Sequence, residues 1–213
     1  IVRLVGSEMC IRDSDISESI SVPNIISVDS ETTGLSLVRD RLCLLQIAFS
    51  ENECHFIKFS PGSLSGKVKP TNLINLLSNE NIKKIFHYAR FDLAMIKKFL
   101  GVEIKNMFCT KIASKLVRTY TDKHGLKELC KEMLNVDLNK SSQSSDWSVH
   151  ELSKDQLKYA SHDVIYLFRL KEKLEEMIVR ENRKELLQKS FEFLPSRVKL
   201  DLAGWNDTDI FSH

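Results

Sequence analysis

The sequence lacks any Cys-x-x-Cys pair. Its five cysteines (Cys10, Cys43, Cys54, Cys109 and Cys130) are odd in number and widely spaced. That pattern argues against a disulfide framework and a structural zinc site, and it fits a reducing compartment. The six histidines offer no closely spaced ligand pair either. No apolar run is long enough to cross a bilayer, and no signal-peptide pattern is evident. A soluble cytoplasmic protein with no membrane partner is therefore expected. Charge of one sign is also missing: the net charge is only +2. No global electrostatic argument for a nucleic-acid partner follows, so any phosphate-binding surface must come from local clustering. There is no internal repeat and no linker to a second domain. The 213 residues and 42% hydrophobic content suit one domain with a full core.

An initiating methionine is absent too, since the chain starts at Ile1. The segment Leu4 to Ser14 resembles translated read-through from a sequencing adapter. Residues 1–14 are expected to be a non-native leader and are set aside. One domain is expected over 15–213. Its last part, 196–213, carries Leu200, Leu202, Trp205, Ile210 and Phe211, too apolar for a solvated tail, so it should lie on the domain surface.

What is present begins with strands. Ile25 to Val28 is a short β-branched apolar run, and Arg41 to Phe49 and Glu53 to Phe59 follow, joined by Ser50-Glu51-Asn52. The short link makes the latter two an antiparallel hairpin. Lys84 to His87 and Asn106 to Cys109 are two further strands. Helical spacing marks Thr71 to Leu77, Arg90 to Leu100, Thr110 to Thr119 and Leu126 to Leu134. Gly101 is placed to stop the second of these. Ser153-x-x-Gln156 forms a capping box ahead of a long helix to about Val179. Another helix runs from Glu181 to Phe193, with Pro195 ending it. Strands first and helices later give an α/β or α+β domain with a mixed sheet.

The first strand ends in Asp29-Ser30-Glu31. Side chains two apart on a strand point to one side, so both carboxylates can meet at the mouth of the sheet. Two acids at one point repel unless a cation lies between them, which points to a hard metal with oxygen ligands. Taken alone, such a pair is more often a polar strand end running into the turn at Gly34. Asp92 falls in the first turn of a helix, where an acid also complements the helix dipole. Tyr159 and Asp163 lie four apart on one helix face, flanked by apolar residues.

Asp29-x-Glu31, Asp92 and Tyr159-x-x-x-Asp163, in this order and context, resemble the DEDD superfamily of 3′–5′ exonucleases. The subgroup is the one whose third motif carries Tyr, and within it the chain is similar to ribonuclease D. Asp40 to Gln46, Phe86-His87, Thr110 to Ser114 and Lys140 to Trp147 add to the likeness. The resemblance implies a ribonuclease H-like mixed five-stranded sheet flanked by helices. It implies two divalent ions, Mg²⁺ or Mn²⁺. Asp29 would bridge them, Glu31 and Asp163 would hold the one bearing the attacking water, and Asp92 would support the other. Tyr159 would orient that water without ionising. Thr32 and Leu35 would meet the terminal nucleotide, with His87 and Gln156 facing the same region.

The expected activity is exonucleolytic hydrolysis of RNA from a single-stranded 3′ end. It would release nucleoside 5′-monophosphates in RNA 3′-end maturation or turnover, tRNA included. The same acids would serve DNA 3′ ends, because they act on phosphate. A silent nucleic-acid-binding module of the same fold would have no need of four mutually repelling carboxylates. Nine basic residues between Lys97 and Lys131 could carry the strand or simply be a solvated face, and Tyr88 and Trp147 could stack on bases. Ser30 stands where the family often has Thr, and it is expected to point away from the metals. The helical nucleic-acid-binding domains of larger ribonuclease D proteins do not follow the exonuclease part, so a short form is expected.

Overall fold

The computed structural model describes residues 2–4, 7–13, 15–65, 69–138 and 144–212. Part of the expected leader (1, 5, 6 and 14) and of the polar loop before Trp147 (139–143) lies outside them. Among the described residues seven strands form one sheet: β1 (Val2–Leu4), β2 (Ser7–Asp13), β3 (Ile25–Thr32), β4 (Leu42–Ser50), β5 (Glu53–Lys58), β6 (Lys83–Phe86) and β7 (Met107–Cys109). Their order is β1-β2-β5-β4-β3-β6-β7. The five strands expected from the sequence are β3 to β7, and the hairpin of β4 and β5 is antiparallel. β3 pairs antiparallel with β4 and parallel with β6, so the sheet is mixed, as in ribonuclease H-like folds. The two further strands come from the first fourteen residues, with β2 running parallel to β5 at the edge.

Helices cover both faces: α1 (Thr71–Ser78), α2 (Ala89–Leu100), α3 (Thr110–Val117), α4 (Leu126–Leu129), α5 (Lys154–Ile165), α6 (Leu167–Arg180) and α7 (Lys184–Leu200). β4 is buried along its whole length up to Ser50, as a central strand sandwiched between helices must be. Leu157, Ala160 and Val164 of α5 pack on Cys43, Ala48 and Phe56 on one side. The larger cluster on the other side takes in Leu93, Ala94 and Ile96 of α2. Gly101 adopts the left-handed conformation that stops α2.

Two helix expectations are corrected. The long helix from Lys154 breaks at Tyr166 into α5 and α6. Their apolar stripes face different partners, and the buried hydroxyl of Ser27 donates to the carbonyl of Val164 at 2.9 Å, occupying an acceptor at the joint. Pro195 does not end its helix, because α7 runs through it to Leu200. A proline inside a helix costs about 3 kcal/mol. Burial of Phe191, Leu194 and Val198 around it offsets that. The segment 196–200 is therefore helix rather than tail. Beyond it, Arg90 forms a two-pronged bond to Asp201, and Arg197 bonds the Thr208 carbonyl. Trp205, Ile210 and Phe211 nevertheless remain exposed.

Candidate active site

The cleft opens where β3 ends, and the strand's alternation sets its chemistry. Asp29 and Glu31 face α5, and one carboxylate oxygen from each of Asp29, Glu31 and Asp163 lies within 4.8 Å of the others. Ser30 faces the other way, toward the start of α2, and its hydroxyl donates to Asp92 Oδ1 at 2.5 Å. Ser30 is expected to point away from the metals; it does leave the Asp29–Glu31 side, and there it holds the fourth acid. Alternation alone says that Ser30 leaves the Asp29–Glu31 side. Only the packing of α2 shows that Asp92 waits on the other.

All four acids line one cleft of about 600 Å³, together with Tyr159, Thr32, Leu35 and His87. Gln156 does not join them. Its Oε1 accepts from the Ser153 amide and its Nε2 donates to the Asp146 carbonyl, so both ends of the amide serve the capping box and the loop before it. Trp147 is 3% exposed, tilted against the Tyr159 ring at 6.1 Å. It is a packing partner of the phenol, not an open stacking platform. Gln46, the end of a stretch noted only for its likeness, reaches the site, lying opposite Asp29 in the β3–β4 register. Its Nε2 donates to Glu31 Oε1 at 3.4 Å.

The electrostatics are those of a site made for cations. Burial first, then the neighbouring carboxylates, push the Asp29 acid far above its ordinary range. The same two causes raise Glu31 to about 9. Asp92 is raised to about 7, chiefly by burial, with the Ser30 hydrogen bond pulling it back. Without a counter-charge these groups are held partly protonated. Oxygen ligands crowded in one pocket are the donor set that hard divalent ions require, so the residues fit a two-ion centre. Burial and the bond to Asp163 keep the Tyr159 phenol protonated far above neutrality.

The rim is built just as deliberately. The register slips between Glu31 and Thr32, which turns the chain out of the sheet. Thr32 Oγ1 donates to the Gly34 carbonyl at 2.6 Å. Asp40, itself buried, accepts from the Ser36 amide at 2.9 Å. A side chain on Gly34 would put its Cβ 2.5 Å from Asp40 Oδ2. Gly34 is thus needed for close approach of Asp40, since its own backbone is not left-handed. The resulting loop presents Leu35, 83% exposed, at the mouth of the cleft.

Such a carboxylate centre, at the end of an inner strand of a mixed sheet, is that of the ribonuclease H-like nucleases. More narrowly, the chain belongs to the 3′–5′ exonuclease family, whose model matches residues 9–179. It is 30% identical to ribonuclease D of Jannaschia sp. (strain CCS1) over 164 residues, 76% of this chain and 42% of that protein. It spans less than half the length of the ribonuclease D relatives it matches first. NrnC of Brucella melitensis with bound Mg²⁺ is 43% identical, with TM-score 0.87 over 96% of this chain and 98% of that one. The same protein bound to pGG is 44% identical, with TM-score 0.89 over 97% and 99%.

One consequence is testable at once. Ser30→Ala removes the side-chain hydroxyl that donates to Asp92 Oδ1, and a hydrogen bond to a charged group is worth about 1.5–3 kcal/mol. Metal-dependent activity is expected to fall on the order of tenfold, and Ser30→Thr is expected to restore it. Steady-state assays across a metal titration would check both.

Proposed function

We propose that this protein is a metal-dependent 3′–5′ exonuclease that removes nucleoside 5′-monophosphates from single-stranded RNA 3′ ends, dinucleotides included. The observation that carries the reading is the convergence of Asp29, Glu31 and Asp163 on one point, with Asp92 lining the same cleft. The likeness to Brucella NrnC bound to pGG supports short RNA as a substrate. Bound there, two Mg²⁺ or Mn²⁺ ions would neutralise the phosphoryl group and stabilise both in-line oxygens.

The chain's own part is to hold and to orient. Asp29 feels the charges of Asp92, Asp163 and Glu31 together and would suit a bridging role. Glu31 and Asp163 flank it on the α5 side, and Asp92 reaches from α2 with Ser30 fixing its carboxylate. Tyr159 Oη, kept protonated and bonded to Asp163, can hold a water beside that carboxylate for in-line attack. Thr32, Leu35 and His87 wall the place where the terminal nucleotide would lie. Maturation or turnover of RNA 3′ ends is the process such chemistry serves. Four buried free thiols support a cytoplasmic setting. Among the described residues, no helix is long and apolar enough to cross a membrane.

The test is 5′-labelled single-stranded RNA and DNA of one sequence, incubated with Mn²⁺ or with EDTA. RNA should shorten from its 3′ end with Mn²⁺ and stay intact with EDTA. Equal loss of DNA would widen the substrate to both polymers. Binding without shortening would defeat the enzymatic reading.

A further inference from the structure

β4 is the middle strand of the sheet, and it is buried without a break from Leu42 to Phe49. In that run Gln46 alone carries an amide, and it is fully buried. Strand alternation puts it on the side of Leu44 and Ala48. Those two pack with Phe56, Leu157 and Ala160 beneath α5, and Phe56 is the register partner of Gln46 on β5. An amide is out of place in such a stripe. Burying one costs about 1–3 kcal/mol when its hydrogen bonds are not replaced, and an apolar side chain of the same length would fill the position without that cost.

Only one end of the amide is bonded. Nε2 donates to Glu31 Oε1 at 3.4 Å. Oε1 is buried and has no hydrogen-bond partner among the described residues. Buried acceptors are seldom left unpaired in folded proteins, so this one points to a donor that arrives with a ligand. Its place says which. Gln46 lies directly opposite Asp29 in the β3–β4 register, and such cross-strand pairs share a face, here the face from which Asp29 and Glu31 meet Asp163. Hard divalent ions keep water ligands beside their carboxylates, and the hydrogens of those waters need acceptors. The bonded end fits the same purpose. A neutral amide orients Glu31 without neutralising it, whereas a lysine or arginine there would compete with the ion for its charge. Glu31 and Asp92 are then served alike, each held by one uncharged side chain of the sheet, Gln46 and Ser30.

We propose that Gln46 is a positioning residue of the metal centre, its Nε2 setting the Glu31 carboxylate and its Oε1 accepting a hydrogen bond from a water on the ion that Glu31 and Asp163 hold. This rests on the metal-dependent reading above.

Gln46→Met keeps the length of the side chain, removes both ends of the amide and suits the apolar stripe. The full chain would be titrated with Mn²⁺ in the absence of nucleic acid, with the EPR signal of free Mn²⁺ as the readout. The half-saturating concentration should rise by about 10–100-fold, as when an outer-shell partner of a metal ligand is lost. On single-stranded RNA, kcat/KM at limiting Mn²⁺ should fall by a similar factor and recover as Mn²⁺ is raised. Asp163→Asn, which lacks a ligand, should show no such recovery. In EDTA the Gln46→Met chain should melt at least as high as the wild type, because the unpaired buried carbonyl is gone. Gln46→Leu, also apolar, should repeat the shift in half-saturation. An unchanged half-saturation in both variants would overturn the proposal and leave the amide as packing alone, whatever the melting points. A wild type that binds Mn²⁺ but leaves RNA intact would overturn the exonuclease reading alone, with the half-saturation still deciding the role of Gln46. A wild type that binds no Mn²⁺ would overturn both.

Discussion

Asp29→Asn and Asp163→Asn should each abolish Mg²⁺- or Mn²⁺-dependent hydrolysis while leaving the domain folded. Each takes away one of the three carboxylates that meet within 4.8 Å, and Asn cannot supply the same charge. Metal stabilisation of a phosphoryl transition state is worth several kcal/mol, and each 1.36 kcal/mol is tenfold in rate, so a loss of about a thousandfold or more is expected. Thermal unfolding gives the prediction a second edge with a defined sign. In EDTA the wild type carries Asp29 buried among Glu31, Asp92 and Asp163, which is unfavourable. Asp29→Asn removes that cost, so the metal-free variant should melt higher than the metal-free wild type, by about 2–4 °C for each 1 kcal/mol recovered. Adding Mn²⁺ should raise the wild-type midpoint and move the variant little. Full activity in either variant, or a variant that melts lower in EDTA with its metal response intact, would defeat the assignment.

The reason so much of this centre was legible in the sequence is that two of its parts are local. Asp29 and Glu31 share a side because a strand alternates, and Tyr159 and Asp163 share a face because a helix turns in 3.6 residues. The capping box at Ser153 and the stop at Gly101 were visible for the same reason, being short-range hydrogen-bond and backbone effects. What stayed hidden depends on packing between distant segments. Ser30 meets Asp92 across 62 residues of chain, and Gln46 meets Glu31 only once β3 and β4 are in register. Gln156 matched two patterns at once, and the local one took its amide. Pro195 and Tyr166 show tertiary burial overriding helix propensity in one case and interrupting a continuous apolar pattern in the other. Of the basic residues, sequence could count them but not tell which were already neutralised by Glu103, Glu80 or Glu132.

Tyr159→Phe separates holding the metals from orienting the water. Phe keeps the ring that packs on Trp147 and leaves all four carboxylates in place. It removes only the hydroxyl bonded to Asp163. A group that positions a nucleophile for proton loss typically contributes 10²–10⁴-fold, so kcat should fall by about a hundredfold or more while KM stays near the wild-type value. The reading of such a split is loss of an interaction made chiefly in the transition state. The rise in melting temperature on adding Mn²⁺ should persist, because the ligands persist, whereas in Asp163→Asn it should shrink. A phenol that were merely a packing element would leave kcat unchanged, since Phe packs as well. If Tyr159→Phe instead lost the metal response together with activity, the hydroxyl would be fixing the Asp163 carboxylate rather than the water, and Tyr159 would be a positioning residue for the acids as Ser30 is for Asp92.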